Sequence, residues 1–521
     1  MRRKRLEPPT GKTFRKELRL NEACIVASYS TVLPEGTACA IVSTDGARIV
    51  RIETFATERA LDEEFLRRKD THREAGTSGS PAPSARFVDA RAHIVAPSFV
   101  NAHTHLAMNL FRAFPTRAGA AGNLVEDVFF RAESHLTRED VRAFARVGAL
   151  ECLASGTGFV WDHYYHADAV AMALRDTGLC GVVAPTLQDL GGPGKDDMET
   201  ALELTFTLHG DERWESCGVF AALGPHATDT VSAALWKRIA DEAQSRALPI
   251  HSHIAQSPEE FERVVAREGL TPCEFVARSG VFNTGTSFLA VHGIYLRNSD
   301  MALMQRARDA VLVFCPYSQL IFHFPADASA WTRHGLAWCV ATDCAASNDS
   351  MAVQKELRYV AGLDSIAWSR SNDVKAFAGE KSRVRSAAVA SRIRRGRQAR
   401  NAVVHSDESL LEKITTLPGR LHPRVRTGTL AEGALASLCL WRKDAPSLWP
   451  ATDPVRALVW GDAGDALEGV LSAGRWVFEP GASVSETLRT SSDVREMTRE
   501  AHERLAALAS RAGLAFSPTP R

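Results

Sequence analysis

The chain has 521 residues, 45% hydrophobic and 24% charged, with Lys+Arg and Asp+Glu both at 62. That balance leaves no long-range field to gather nucleic acid or anionic lipid, and no segment has the apolar run needed to span a bilayer. A chain of this length buries a large core and holds one large domain with an accessory domain, or two or three ordinary ones. A neutral small molecule is the partner that fits.

Met1-Arg2-Arg3-Lys4-Arg5 is positively charged, but no apolar stretch of signal-peptide length follows; residues 1–21 are expected to be a disordered N-terminus and the protein to be cytoplasmic. The ten cysteines include no Cys-x-x-Cys pair and several end apolar runs, the pattern of buried reduced thiols. Residues 22–57 and 86–96 read as short strands with a turn at Asp45-Gly46, interrupted around 58–85 by a charged and then Gly/Ser/Pro-rich stretch expected to be a surface excursion. From about residue 94, apolar runs alternate with helix-length segments: 94–103, 157–162, 180–186, 218–224, 248–253, 287–292, 310–315 and 338–343. Eight such runs predict an α/β chain with a TIM-like (β/α)8 barrel. Helical spacing lies between them, as in Val231–Arg246 and Glu259–Arg278, with Thr230 and Ser257 placed as caps. Residues 373–400 form a basic insert, read as a solvated helix or mobile segment rather than a nucleic-acid patch. Gly428–Arg442 and Ala457–Phe478 return to strand-like patterning, and Glu486–Ala512 reads as a closing helix. The predicted organisation is a domain from 22–95 plus 428–485, a barrel from 96–427, and a helix and tail from 486–521.

Chemistry concentrates where the apolar runs end: His103 and His105, Asp162 and His163, Thr186, His226, His253, His292, Cys315 and Asp343. Catalytic groups of a (β/α)8 barrel sit at these carboxyl ends. In His103-Thr104-His105, residues two apart share a strand face, so both imidazoles converge on one point, as two ligands of one metal do. His253 and Asp343 complete the ligand set of a catalytic divalent ion, zinc or ferrous iron, with a position left for water. Metal-bound hydroxide at neutral pH is the expected nucleophile, with His292 orienting or deprotonating the water and Asp343 relaying its proton. His251 shares a face with His253 and competes with it for the ion.

At these residues the chain resembles the amidohydrolase superfamily, in its triazine hydrolase and S-adenosylhomocysteine/nucleobase deaminase branch. The matching segments are PSFVNAHTHLAMNLFR (97–112), GPHA (224–227), IHSHIAQS (250–257), AVHG (290–293) and ATDCAASND (341–349). The resemblance implies metal ligands at His103, His105, His253 and Asp343, a substrate contact at His226 and a catalytic role for His292. It also implies a metal-dependent barrel beside a small β-sandwich built from both chain ends, and a homo-oligomer as an open expectation.

Three positions depart from the family. Relatives usually read His-x-His-x-x-Glu, with the glutamate passing a proton to the leaving nitrogen; here the position is Gln256, whose amide carries no proton between groups at neutral pH. Either Asp343 and His292 do all the shuttling, or Glu259 or Glu260 reaches in, or the leaving group needs less protonation. Where relatives often show Pro-x-Ser-Asn, this chain has Pro316-Tyr317-Ser318-Gln319, and the arginine of S-adenosylhomocysteine deaminases is replaced by Pro185. Arg112, Glu133, Trp161, His163, Tyr165, Tyr317 and Ser347 fall on or near strand-end loops and are candidate contacts for a flat polar ring. The function expected is hydrolysis of a C–N bond, by deamination or hydrolysis of an aminated N-heterocycle, with water as co-substrate. The alternatives are a hydrolase for a better leaving group, such as a halogenated or thiolated ring or a cyclic amide, and a non-catalytic metal-binding homologue. The loop Leu190–Asp196 lacks phosphate-loop spacing, so no nucleotide is implied.

Overall fold

The computed structural model describes residues 23–77, 85–113, 124–320, 325–363 and 405–514. The expected disordered N-terminus and the basic insert at 373–400 lie outside the described residues. The chain is α/β. It opens with β1 (Ala23–Leu33), β2 (Gly36–Asp45) and β3 (Arg48–Phe55), an antiparallel meander whose second turn is the anticipated Asp45-Gly46, with Gly46 at φ 55°. The charged stretch that follows opens as a largely exposed helix. Glu58–Thr77 is a helix that seats Leu61 and Phe65 against Ala27 and Ile41, because its few apolar residues fall four apart on one face.

Next come β4 (Ala85–Asp89) and β5 (His93–Pro97), both parallel to β1. The apolar run from Ile94 thus divides at Ser98: its first half joins the chain-end sheet, and its second half begins the catalytic layer as β6 (Phe99–Thr104). The following strands are β7 (Thr157–Tyr164), β8 (Cys180–Leu187), β9 (Val219–Ala221), β10 (Gly224–Pro225), β11 (Ile250–Ile254), β12 (Phe288–His292), β13 (Ala310–Phe314) and β14 (Trp338–Val340). They form two parallel sheets, β10-β8-β7-β6 with β9 also on β8, and β11-β12-β13-β14. Single parallel bridges join their edges, Leu223 to Ile250 and Ala227 to His253 on one side, Thr104 to Asp343 on the other. Side chains alternate across these strands: Phe159 and Trp161 share one core with Phe220, Val291 and Ala341, while Val160 between them faces the helices. Last come β15 (Leu438–Arg442), β16 (Leu467–Ser472) and β17 (Arg475–Phe478). β15 pairs antiparallel with β5, so strands from both chain ends share one eight-stranded sheet.

The helices differ from expectation at their ends. Ser232, not Thr230, caps Ala233–Arg246 by accepting the Leu235 N–H. Glu259–Arg278 is two helices, Pro258–Glu268 behind the Ser257 cap and Pro272–Ser279 behind a Thr271 capping box, because Gly269 ends the first in a left-handed turn and Pro272 suits the first turn of the next. The closing segment likewise divides into Val484–Thr490 and Ser492–Ala512. The second packs on the helix Arg138–Ala154, with Arg504 and Arg511 on the buried Asp140 and Arg146 on Glu500. All ten cysteines are free thiols, eight of them buried. No helix among the described residues is long and apolar enough to cross a membrane.

Candidate active site

Strand register brings the chemistry together. The N–H of Asp343 donates to the carbonyl of His103 (3.2 Å), that of His253 donates to the carbonyl of His226 (3.0 Å), and Ile254 is paired with His292. Residues more than 140 positions apart therefore meet at one end of the strands. Two left-handed residues sharpen the convergence: His292 (φ 77°) and Asp343 (φ 64°) turn abruptly out of their strands, a strained conformation for side chains with a Cβ that concentrates at functional sites. Asp162 pins the turn after His105, its Oδ2 accepting from the Leu106 N–H (2.6 Å) and the Thr104 hydroxyl (3.0 Å). Gly148 completes that seat, since a Cβ there would lie 2.4 Å from the Leu106 carbonyl oxygen.

His103, His105 and His253 offer ligand atoms within 4.8 Å of one another, and so do His103, His292 and Asp343. Asp343 Oδ1 lies 3.4 Å from Nε2 of both His103 and His105, and Nε2 of His253 lies 3.3 Å from that of His105. All five side chains are buried, His103 completely. Each proposed imidazole ligand has its other nitrogen engaged. His105 Nδ1 donates to the His163 carbonyl, His253 Nδ1 to the His226 carbonyl (2.8 Å), and His103 Nδ1 lies 2.8 Å from His251 Nε2. Burial, outweighing the neighbouring Asp343 carboxylate, drives His103 down to about 3, and it lowers His105, His253 and His292 as well. Burial alone would raise Asp343, but the His103 hydrogen bond and the surrounding imidazoles hold it below the usual carboxylate range. The result is neutral imidazoles around one carboxylate. This donor set fits a divalent cation: the buried Nε2 of His103 faces Asp343 Oδ1 at 3.4 Å and lies in the same cluster of possible ligand atoms as His105 and His253.

The second carboxylate oxygen of Asp343 accepts from Ser318 (2.6 Å) and Ser347 (3.3 Å), whose hydroxyls are 2.7 Å apart. Gln319 Nε2 donates to the His292 carbonyl (3.3 Å). His226 stands beside His253 (ring centroids 5.1 Å apart) and Phe130 (5.7 Å), with Nδ1 2.9 Å from the Thr230 hydroxyl. Glu133 is buried, accepts from Tyr164 (2.8 Å) and is raised by burial to about 7; the Tyr164 ring is 6.1 Å from that of His105. Gln256 follows on the turn after β11.

Not every candidate gathers here. Arg112 is exposed and bound through one guanidinium nitrogen to both oxygens of Glu151 (2.8 and 2.7 Å). Trp161 is fully buried edge-on to His251. Tyr165 donates to Gln188 (3.2 Å), and the Tyr317 ring lies tilted against Tyr359 with centroids 4.8 Å apart. Glu259 is exposed, and the carboxylate of Glu260 is taken up by the Thr228 hydroxyl and the N–H groups of Ala255 (3.1 Å) and Gln256 (2.6 Å). Sequence reasoning missed Tyr164, Phe130 and the supporting role of Ser318. Ser318 was within the Pro-x-Ser-x segment already singled out, whereas no local signal distinguishes Phe130.

Residues 94–477 match the amidohydrolase family. A 5-methylthioadenosine/S-adenosylhomocysteine deaminase of Moorella thermoacetica is 27% identical over 419 residues, 80% of this chain and 88% of its own. In fold, the chain is similar to a zinc-bound adenosine deaminase from Xanthomonas campestris, at TM-score 0.70 and 21% identity over 93% of this chain and 99% of the other. It is similar also to the atrazine chlorohydrolase TrzN of Arthrobacter aurescens complexed with zinc, at 0.69 and 19% over 93% and 99%. These likenesses give the chain a TIM-barrel-like α/β fold. With the match spanning most of its length and the histidine cluster at the strand ends, this chain belongs to the amidohydrolase family.

Proposed function

We propose that the chain is a metal-dependent hydrolase that deaminates or otherwise hydrolyses an aminated N-heterocycle, with water as co-substrate. The observation that carries this reading is the convergence of three neutral imidazoles and one ionised carboxylate, with His292 alongside. His103, His105, His253 and Asp343 hold one divalent ion, zinc in preference to ferrous iron; the zinc of similar structures supports that choice. When bound, such an ion lowers the pKa of water toward ~7 and polarises the group under attack.

The chain's own residues do the rest. His292, its ring parallel to that of His253 at 5.4 Å, orients the attacking water and accepts its proton. Asp343, its Oδ2 fixed by Ser318 and a carboxylate oxygen within 4.8 Å of a His292 ring nitrogen, takes that proton from His292 and passes it to the leaving group. Gln256 orients the substrate by hydrogen bonding but moves no proton. His226, Glu133 and Ser347 contact the substrate ring; Arg112 and Trp161, engaged elsewhere, do not enter this reading.

The two parallel sheets are read as one (β/α)8 barrel, supported by the bridges at both junctions. The eight-stranded sheet is read as a small β-sandwich of residues 22–95 and 428–485, supported by the core that Val26, Val42, Val88, Leu438, Leu471 and Trp476 share. The barrel then takes 96–427, and the closing helix begins at about 486. A cytoplasmic setting is supported by the ten free thiols.

Gln256 favours a second reading, a leaving group that departs without strong acid assistance. Ammonia release by zinc-replete protein across aminopurines, pterins, pyrimidines and triazines separates the two, with Q256E as the probe. A large gain in deamination by Q256E supports the second reading; equal deamination by both proteins supports the first. A zinc and iron content well below one per chain that added metal does not restore would refute both.

A further inference from the structure

A histidine that binds metal through Nε2 must carry its proton on Nδ1, and the acceptor of that proton sets ring orientation and ligand basicity. His105 and His253 give theirs to the carbonyls of His163 and His226, acceptors that any residue at those positions would supply. His103 is different. Its Nδ1 meets a side chain, His251 Nε2, at 2.8 Å. The two rings stand perpendicular (89°) with centroids 4.9 Å apart, a geometry that aims one ring's N–H along the plane of the other.

We propose that His251 is a positioning residue, which fixes the tautomer and orientation of His103 and does not bind the ion itself. This rests on the metal-site reading above. To accept from His103, His251 must keep its lone pair on Nε2 and its proton on Nδ1, an atom that is buried and makes no hydrogen bond among the described residues. The tertiary structure holds the His251 ring in place. Its backbone N–H donates to the Leu223 carbonyl (2.9 Å), and its fully buried ring is flanked edge-on by His163 and Trp161 at 5.7 and 6.0 Å. The competition between His251 and His253 for the ion is thereby resolved. Both lie on the same face of β11, but the inner one is spent on His103.

The test is zinc binding by the full chain, measured by chelator competition, with the visible absorption of the cobalt-substituted protein as a second readout. H251L, which keeps volume and loses the acceptor, is expected to weaken zinc binding about 10- to 100-fold and to change the cobalt spectrum. H251Q, whose amide oxygen reaches the place of Nε2, is expected to recover most of the loss. Zinc binding by H251L equal to the parent, or H251Q as impaired as H251L, would overturn the proposal. Should H251L not fold, 15N-histidine spectra of the zinc-loaded parent decide: a proton on Nδ1 of His251 supports it, and a proton on Nε2 refutes it. A parent chain that binds no zinc would remove the metal-site reading and this inference with it.

Discussion

Replacing Glu260 tests how the turn that carries Gln256 is held. The carboxylate reaches back from the first turn of the helix Pro258–Glu268, where negative charge is favourable, to the N–H groups of Ala255 and Gln256, and Ala255 is itself left-handed at φ 51°. In E260A the buried Ala255 N–H, the partly buried Gln256 N–H and the Thr228 hydroxyl lose their acceptor. At about 1–3 kcal/mol for each orphaned backbone N–H, the loss is about 2–6 kcal/mol. E260Q keeps one oxygen and should cost less, but it adds a pH signature. Burial, with Asp229 nearby, raises Glu260 from 4.5 to about 7 against the opposing hydrogen bonds. Between those values the folded protein holds a proton that the unfolded chain has released, so this group's contribution to stability falls as pH rises through the window. At about 1.36 kcal/mol per pH unit, the span is worth about 3 kcal/mol. Glutamine has no such dependence. The stability advantage of the parent over E260Q should therefore shrink by about that amount from pH 4.5 to pH 8. Urea unfolding followed by tryptophan fluorescence at fixed zinc measures it; a parent–E260Q gap that is the same at both ends of the window would refute the account.

Other perturbations address the metal centre directly. H292N is expected to keep parental zinc stoichiometry while kcat falls about 10²- to 10⁴-fold, the worth of a positioned proton acceptor; loss of zinc would make His292 a ligand instead. S318A removes a 2.6 Å hydrogen bond to an ionised carboxylate, worth about 1.5–3 kcal/mol, and kcat/KM should fall about 10- to 100-fold. A fall of less than twofold would show that Ser347 alone suffices. Chelator treatment should lower the thermal midpoint, because zinc at about a hundred times its Kd stabilises the folded state by about 2.7 kcal/mol. Calorimetry should show recovery with zinc but not with magnesium, whose preference is for oxygen ligands.

The residues of the histidine cluster were legible because strand periodicity is local: His-x-His puts two rings on one face, and an apolar run ending in His or Asp marks a strand terminus without knowledge of its neighbours. The helix Glu58–Thr77 was not legible, since its mean composition is so charged that only Leu61 and Phe65, meeting Ala27 and Ile41, betray a packed face. Nor was the long helix predicted from Glu259 resolved into two, although Gly269 and Pro272 marked the break.

From its sequence alone the chain specified which residue types stand at the ends of which strands, and that an amide replaces an acid at position 256. Which ring nitrogens come together, which histidine sits behind His103, and which donors the Glu260 carboxylate accepts from were decided only by tertiary structure. Those choices depend on hydrogen bonds such as His103 to His251 and Asp343 to Ser318, made across strands far apart in the chain, where pairing register rather than sequence spacing determines which atoms come within reach.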